Sequence, residues 1–353
     1  MLKLEYRFVI EMFSDAGDSL GQFPIEVDWE PARESASLLA LRGGRADRGG
    51  NGAAVAIEPV WDETLAEPHA SGARVVDGDV VCPVSRAYFK SLATEISSDL
   101  VEKKILKAGE LFRYKLLAFR HAPEPLPRNA FTVEDVTPPL PFIETPLAEL
   151  QRDTVPFADG NGEDVPVFIP QRVLDEVESL TLAAGALETG GILIGQLHRD
   201  AKMPEVALVV TAQIPAQHTL SKSTVLTFTA ETWTAVQAAL DLRKSAEIMC
   251  GWWHSHPSFA FCKPECPPER RRECSLQQPF LSSDDLLLHR TVFPKAYSIA
   301  LLANNADAGL GFALFGSRGG IVQNRGFNVS ENASPLSNET HTGDPAHASS
   351  CPK

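Results

Sequence analysis

Seven prolines crowd residues 121–146 of this 353-residue chain. Each lacks a backbone N–H and fixes φ, so the stretch can form neither a helix interior nor the middle of a sheet. A chain interrupted in this way must build its cores on either side. The length allows two domains, and residues 121–164 read as a Pro-rich linker between them. Apolar residues make up 44% of the chain, which is enough for real cores without disulfide support.

Before the linker, residues 2–13 alternate. Leu2, Leu4, Tyr6, Phe8, Ile10 and Met12 take one face, and Lys3, Glu5, Arg7 and Glu11 the other, as in a half-buried strand. Residues 24–29 repeat the pattern with Ile25, Val27 and Trp29. Val75 to Val81 reads as a hairpin turning near Asp77-Gly78. Residues 85–100 suit a helix and 110–120 a strand. The Arg- and Gly-rich residues 42–52 read as a mobile loop. Leu39-Ala40-Leu41-Arg42-Gly43-Gly44 resembles the tail of ubiquitin, but too few residues precede it for that fold, so it reads as part of the loop. Residues 1–120 therefore predict a small α+β domain with antiparallel pairing, suited to binding a substrate or partner protein.

Residues 165–326 predict a second domain. Helices are expected at 170–184, 230–244 and 283–292, with Trp233, Val236 and Leu240 on one face of the second. Apolar strands are expected at 190–197, 205–214, 224–229, 247–255, 296–303 and 310–316. A polar, Pro- and Cys-rich insertion covers 258–281. Residues 327–353 are rich in Asn, Ser, Thr, Pro and His without periodicity, which predicts a disordered tail. The fold class is α/β in the broad sense (α+β): a mixed sheet flanked by helices, preceded by the smaller α+β domain.

The formal charge of −14 argues against nucleic-acid binding, which needs Lys and Arg to neutralise phosphates. No run of about 18 apolar residues marks a membrane span, and the alternating N-terminus lacks a signal-peptide core. Six cysteines, three of them within thirteen residues, are not spread as a disulfide framework. These features predict a cytoplasmic protein.

The sharpest motif is Gly251-Trp252-Trp253-His254-Ser255-His256-Pro257. Residues two apart on a strand share a face, so two imidazoles point the same way and can hold one metal. An isolated His-x-His is more often a pair of surface histidines. Here Ser282-Ser283-Asp284-Asp285 precedes Leu286-Leu287-Leu288. Ser282 suits an N-cap and Asp285 the third helical position, a variant capping box. A carboxylate so placed can supply a third zinc ligand and leave a fourth position for water. Glu188 stands just before Gly190-Gly191-Ile192-Leu193-Ile194-Gly195. Beside a zinc site it becomes a candidate general base. A nucleotide deaminase would need His-x-Glu and Pro-Cys-x-x-Cys, and a zincin His-Glu-x-x-His; neither motif is present.

Glu188 ahead of Gly-Gly-x-Leu-x-Gly, then His254-x-His256-Pro257, then Ser282-x-x-Asp285, resembles the JAMM signature of the MPN zinc metalloproteases. The expected order of strands and helices over 165–326 is similar to that fold. The resemblance implies that His254, His256 and Asp285 ligate Zn2+, that Glu188 is the acid/base, and that Ser282 hydrogen-bonds the oxyanion or the attacking water. Asp284 is a rival ligand, but only Asp285 keeps the Ser-x-x-Asp spacing. The resemblance also implies hydrolysis of isopeptide or peptide bonds after the C-terminal glycine of ubiquitin or a ubiquitin-like protein. Alternatives are a trimming protease for ubiquitin-like sulfur carriers and a non-catalytic zinc-containing scaffold.

One departure stands out. The family joins its second His to its Ser by a handful of residues, whereas residues 258–281 intervene here. This insertion carries Cys262, Cys266 and Cys274 and the basic run Arg270-Arg271-Arg272. Three clustered cysteines suggest a second, structural zinc, with His289 or Cys250 as a fourth ligand.

Overall fold

The computed structural model describes residues 5–44, 55–65, 67–121, 140–158, 164–203, 205–216, 228–243, 246–262, 267–271 and 274–331. The first unit comprises β1 (Glu5–Ser14), β2 (Ser19–Ile25), α1 (Glu30–Arg42), β3 (Ala56–Trp61), β4 (His69–Asp77), β5 (Val80–Ser85), α2 (Lys90–Glu102) and β6 (Phe112–His121). Its six strands pair antiparallel in the order β2-β1-β6-β4-β3, with β5 on β4. The alternation of β1 works as read: Phe8, Ile10 and Met12 are buried and join α1 and α2 residues such as Ala32, Ala36, Ala93 and Leu100 in one apolar cluster.

Two expectations for this unit need correction. The strand expected over 24–29 stops at Ile25, because Pro31 opens a helix at once; Val27 and Trp29 still pack on the core from non-strand backbone. The Leu39–Gly44 segment is not a loop but the last turn of α1 and its end. Residues 45–52 of the expected loop lie outside the described residues.

The second unit contains β7 (Phe142–Glu144), α3 (Leu147–Gln151), β8 (Thr154–Phe157), β9 (Val167–Pro170), α4 (Gln171–Ala184), β10 (Gly190–Arg199), β11 (Val206–Pro215), α5 (Ala230–Arg243) and β12 (Ile248–His256). There follow α6 (Ser258–Phe261), α7 (Pro268–Arg271), α8 (Ser283–Val292), β13 (Ile299–Ala306), β14 (Gly309–Arg318), β15 (Ile321–Arg325) and β16 (Phe327–Ser330). Ten strands form one mixed sheet, β15-β14-β13-β12-β10-β11-β9-β16-β8, with β7 beside β10. One sheet face packs on α4 through Val173, Leu174 and Val177. The other packs on α5 and α8 through Trp233, Val236, Leu240 and Leu288. The chain is thus mixed α+β. No helix among the described residues is long and apolar enough to cross a membrane.

The expected linker and tail are partly wrong. β7 and β8, inside 121–164, and β16, inside 327–353, all belong to the second sheet. The strands are three or four residues long, and their partners are remote in sequence (β7 pairs with β10, and β16 with β8 and β9), so no local periodicity marks them. Residues 122–139 and 332–353, and most of the strand expected at 224–229, lie outside the described residues.

Helix α1 joins the two units. Its Leu38 enters the core of the second sheet. Ser35 Oγ accepts a hydrogen bond from Gly320 N at 2.9 Å and lies 3.2 Å from Ser317 Oγ. Arg42 grips Glu205 at two points, at 2.8 and 2.9 Å, and Lys295 meets Glu34 at 2.8 Å. A side chain at position 320 would run into the backbone of Pro31 and Ala32, so glycine there lets the helix close on the sheet.

Candidate metal centre

Strand β12 lies inside the sheet between β10 and β13 and is buried from Cys250 to its end at His256. Its side chains alternate between the two cores: Trp253 enters the α4 face and Trp252 the α5/α8 face. His254 and His256 continue the Trp252 face, as the period of two requires. They are 0% and 3% exposed. Where β12 ends, their Nε2 atoms lie 3.1 Å apart.

The helix that supplies the carboxylate starts as the capping box predicts. Ser282 Oγ accepts from Asp285 N at 3.1 Å, and Ser282 N donates to Asp285 Oδ2 at 2.7 Å. That second bond aims the carboxylate back at the strand. Asp285 Oδ2 lies 3.5 Å from His254 Nε2 and 3.6 Å from His256 Nε2. Burial pushes the Asp285 carboxyl up, but hydrogen bonds from both histidines outweigh this and hold it well below the usual carboxylate range. Burial pushes His254 down, toward the neutral form that a metal needs. Asp284 is exposed and stands outside the group.

Three ligands about 2.0–2.1 Å from a tetrahedral ion stand about 3.3 Å from one another. The observed separations of 3.1, 3.5 and 3.6 Å bracket that edge. Two imidazole nitrogens and a carboxylate are also a donor set that zinc accepts. Among the described residues, these three form the metal-capable cluster.

Glu188 is only 6% exposed, although it lies in irregular backbone just before β10. The anchor is Ser255: its N–H donates to Thr189 O at 2.8 Å, and its Oγ accepts from Thr189 N at 3.0 Å. Gly190 pairs with His254 in the ladder, so Glu188 is held beside the His254–His256–Asp285 cluster. A Cβ at Gly191 would strike Ile214 O and the Trp253 ring, so the glycine there allows three strands to close up. Desolvation raises the Glu188 carboxyl to about 7, with His256 pulling it down and Asp285 pushing it up.

The insertion is anchored to the same sheet. Ser258 Oγ donates to Asn304 Oδ1 at 2.5 Å, Asn304 Nδ2 donates to Gln277 O at 2.9 Å, and Gln277 Nε2 donates to Asp307 Oδ2 at 3.1 Å. From this base Phe261 and Phe280 pack on the His256 ring, with centroids 5.6 and 5.0 Å away. Of the cysteine motif, Cys262 and Cys274 are half-buried thiols, and Cys266 lies outside the described residues. The fourth-ligand expectations need correction. Cys250 is fully buried, donates to Leu193 O, and has its thiol pushed up by desolvation. His289 is buried and accepts a hydrogen bond from Trp252 Nε1 at 3.2 Å. Both are core residues.

No protein-family model matches the sequence, and no curated protein matches it. A protein from Desulfitobacterium hafniense, solved in solution as a structural-genomics target, is similar at 19% identity over 47% of this chain and 94% of its own, with a TM-score of 0.29. A score that low carries no argument, so the functional reading rests on the centre itself.

Proposed function

We propose that this chain is a zinc-dependent isopeptidase or peptidase of the JAMM/MPN type, cleaving after the C-terminal glycine of a ubiquitin-like protein. The observation that carries the reading is the ligand triangle at zinc spacing with a buried carboxyl beside it. A zinc ion on His254, His256 and Asp285 would supply Lewis acidity, polarising the scissile carbonyl and acidifying a water. Glu188 takes a proton from the attacking water and returns it to the leaving amine. A carboxyl raised to about 7 suits both transfers near neutral pH. Ser282 Oγ accepts from the helix, which leaves its O–H to donate to the oxygen that gains charge. A trimming protease for sulfur carriers would use the same groups on a different tail. A purely structural zinc site would have no use for a buried Glu188. The cysteines 262, 266 and 274 are proposed as a second, structural zinc site.

The test is hydrolysis of ubiquitin-like fusions and sulfur-carrier precursors by zinc-loaded protein. Cleavage after the terminal glycine is expected. Glu188→Gln should keep its zinc and lose about 10²–10⁴-fold in kcat. A zinc-loaded wild type that stays inert, and binds partners no differently from Glu188→Gln, would replace the protease with a scaffold. Two zinc ions per chain support the cysteine site, and one removes it.

A further inference from the structure

Metal-binding histidines ordinarily donate their second ring N–H to an acceptor that fixes the ring. Here Nδ1 of His254 and Nδ1 of His256 are both buried with no hydrogen-bond partner among the described residues. Something else must orient the rings. For His254 it is Trp252, whose ring stacks on the imidazole at 4.5 Å between centroids and 13° between planes. Trp252 is itself held: its Nε1–H donates to Nδ1 of His289 at 3.2 Å, in a fully buried setting. His289 sits on α8 four residues after Asp285, so the two share one helix face.

The helix therefore touches β12 at two points. Asp285 meets the histidines at the strand's end, and His289 meets Trp252 one pleat repeat, two residues, before His254. A single contact would let the helix roll about it; two contacts one helical turn apart prevent this. We infer that the His289–Trp252 hydrogen bond is a positioning clasp, which holds the His254 ring and the Asp285 carboxylate in register for the metal. The inference rests on the reading of His254, His256 and Asp285 as ligands. His289 acts through Trp252 and touches neither metal nor substrate.

The experiment measures zinc affinity by competition against a chromophoric chelator, and the visible absorption of the Co2+-substituted protein. Three full-length variants are compared with wild type. His289→Leu removes the acceptor. His289→Asn places Oδ1 where Nδ1 stood and keeps it. Trp252→Phe keeps a ring on His254 and removes the donor. Loss of a partner behind a metal ligand typically weakens affinity 10–100-fold. That loss is expected for His289→Leu and Trp252→Phe, with altered Co2+ bands, while His289→Asn stays within a few-fold of wild type with unaltered bands. Equal affinity in all four proteins overturns the clasp and leaves the metal centre standing. Equal loss in both His289 variants also overturns it, since shape and not the hydrogen bond would then matter. A wild type that binds no zinc overturns the metal centre itself.

Discussion

The two sheets bury different kinds of residue. Within the first unit the interior is apolar: among the described residues before 140, Ser35 is the buried polar side chain, and it reaches out to Gly320 of the second unit. The second unit buries many polar side chains; besides Thr145, Thr181, His198, Thr232, Ser298 and Arg325, it gathers Glu188, His254, Ser255, His256, Ser258, Gln277, His289 and Asn304 at or around the end of β12. Burying a polar group costs free energy unless it is bonded. A core of this size could have been filled with apolar side chains throughout, as the first was with alanine, leucine, valine and phenylalanine. The difference separates a sheet built to hold shape from one that also carries the proposed metal centre. It also shows why α1 matters, since that helix completes the apolar interior of both.

Four substitutions can break or sharpen this contrast. Asp285→Ala has the largest expected effect: it removes a proposed ligand and half of a capping box, so zinc content should fall to nothing and hydrolysis should vanish. Metal analysis and a cleavage assay read this out. Leu116→Ala, in the apolar core of the first unit, should cost about 2–5 kcal/mol. Chemical unfolding measures it, and zinc affinity of the folded protein should not change. A change in affinity would mean that the first unit takes part in the centre.

The third contrast is in pH. Burial lowers His198 to about 4, and its Nδ1 lies 3.0 Å from Thr145 Oγ1. The unfolded chain has its histidine near 6.5. The unfolded state therefore binds the extra proton first, and stability present above pH 6.5 is lost as pH falls toward 4. Relative to His198→Leu, wild type should lose on the order of 2–3 kcal/mol across that window. A gap between the two proteins that stays constant with pH would refute the assignment. Ser35→Ala should have the smallest effect, about 1–2 kcal/mol, because it leaves the Gly320 N–H without its acceptor. If unfolding stays a single transition in that variant, the two units act as one body.

Elements with a strong local period were readable in advance. The α4, α5 and α8 helices and strands β1, β6, β10, β12 and β14 lie within a few residues of where spacing puts them. Helix α1 was missed because Arg42-Gly43-Gly44 and the residues after it look like loop, and tertiary packing on two sheets overrides that. Strands β7, β8 and β16 were missed because a three- or four-residue strand is defined by its partner, not by its own pattern. At the centre, His254 and His256 were readable from the strand period, and Ser282 with Asp285 from cap chemistry. The second role of Trp252 and His289 was not, because nothing in a list of core residues says which two will share a hydrogen bond.

By itself, then, the sequence determined which side chains face together, since that depends only on the pitch of a strand and the first turn of a helix. It placed two imidazoles on one face and a carboxylate at one helix start. Only the tertiary structure decided that these meet within 3.1–3.6 Å. That convergence depends on contacts between residues tens of positions apart: α8 packs across β12, and Ser255 draws the segment carrying Glu188 alongside. Local geometry is set by covalent connectivity, whereas the distance between a strand end and a helix start is set by how the core packs.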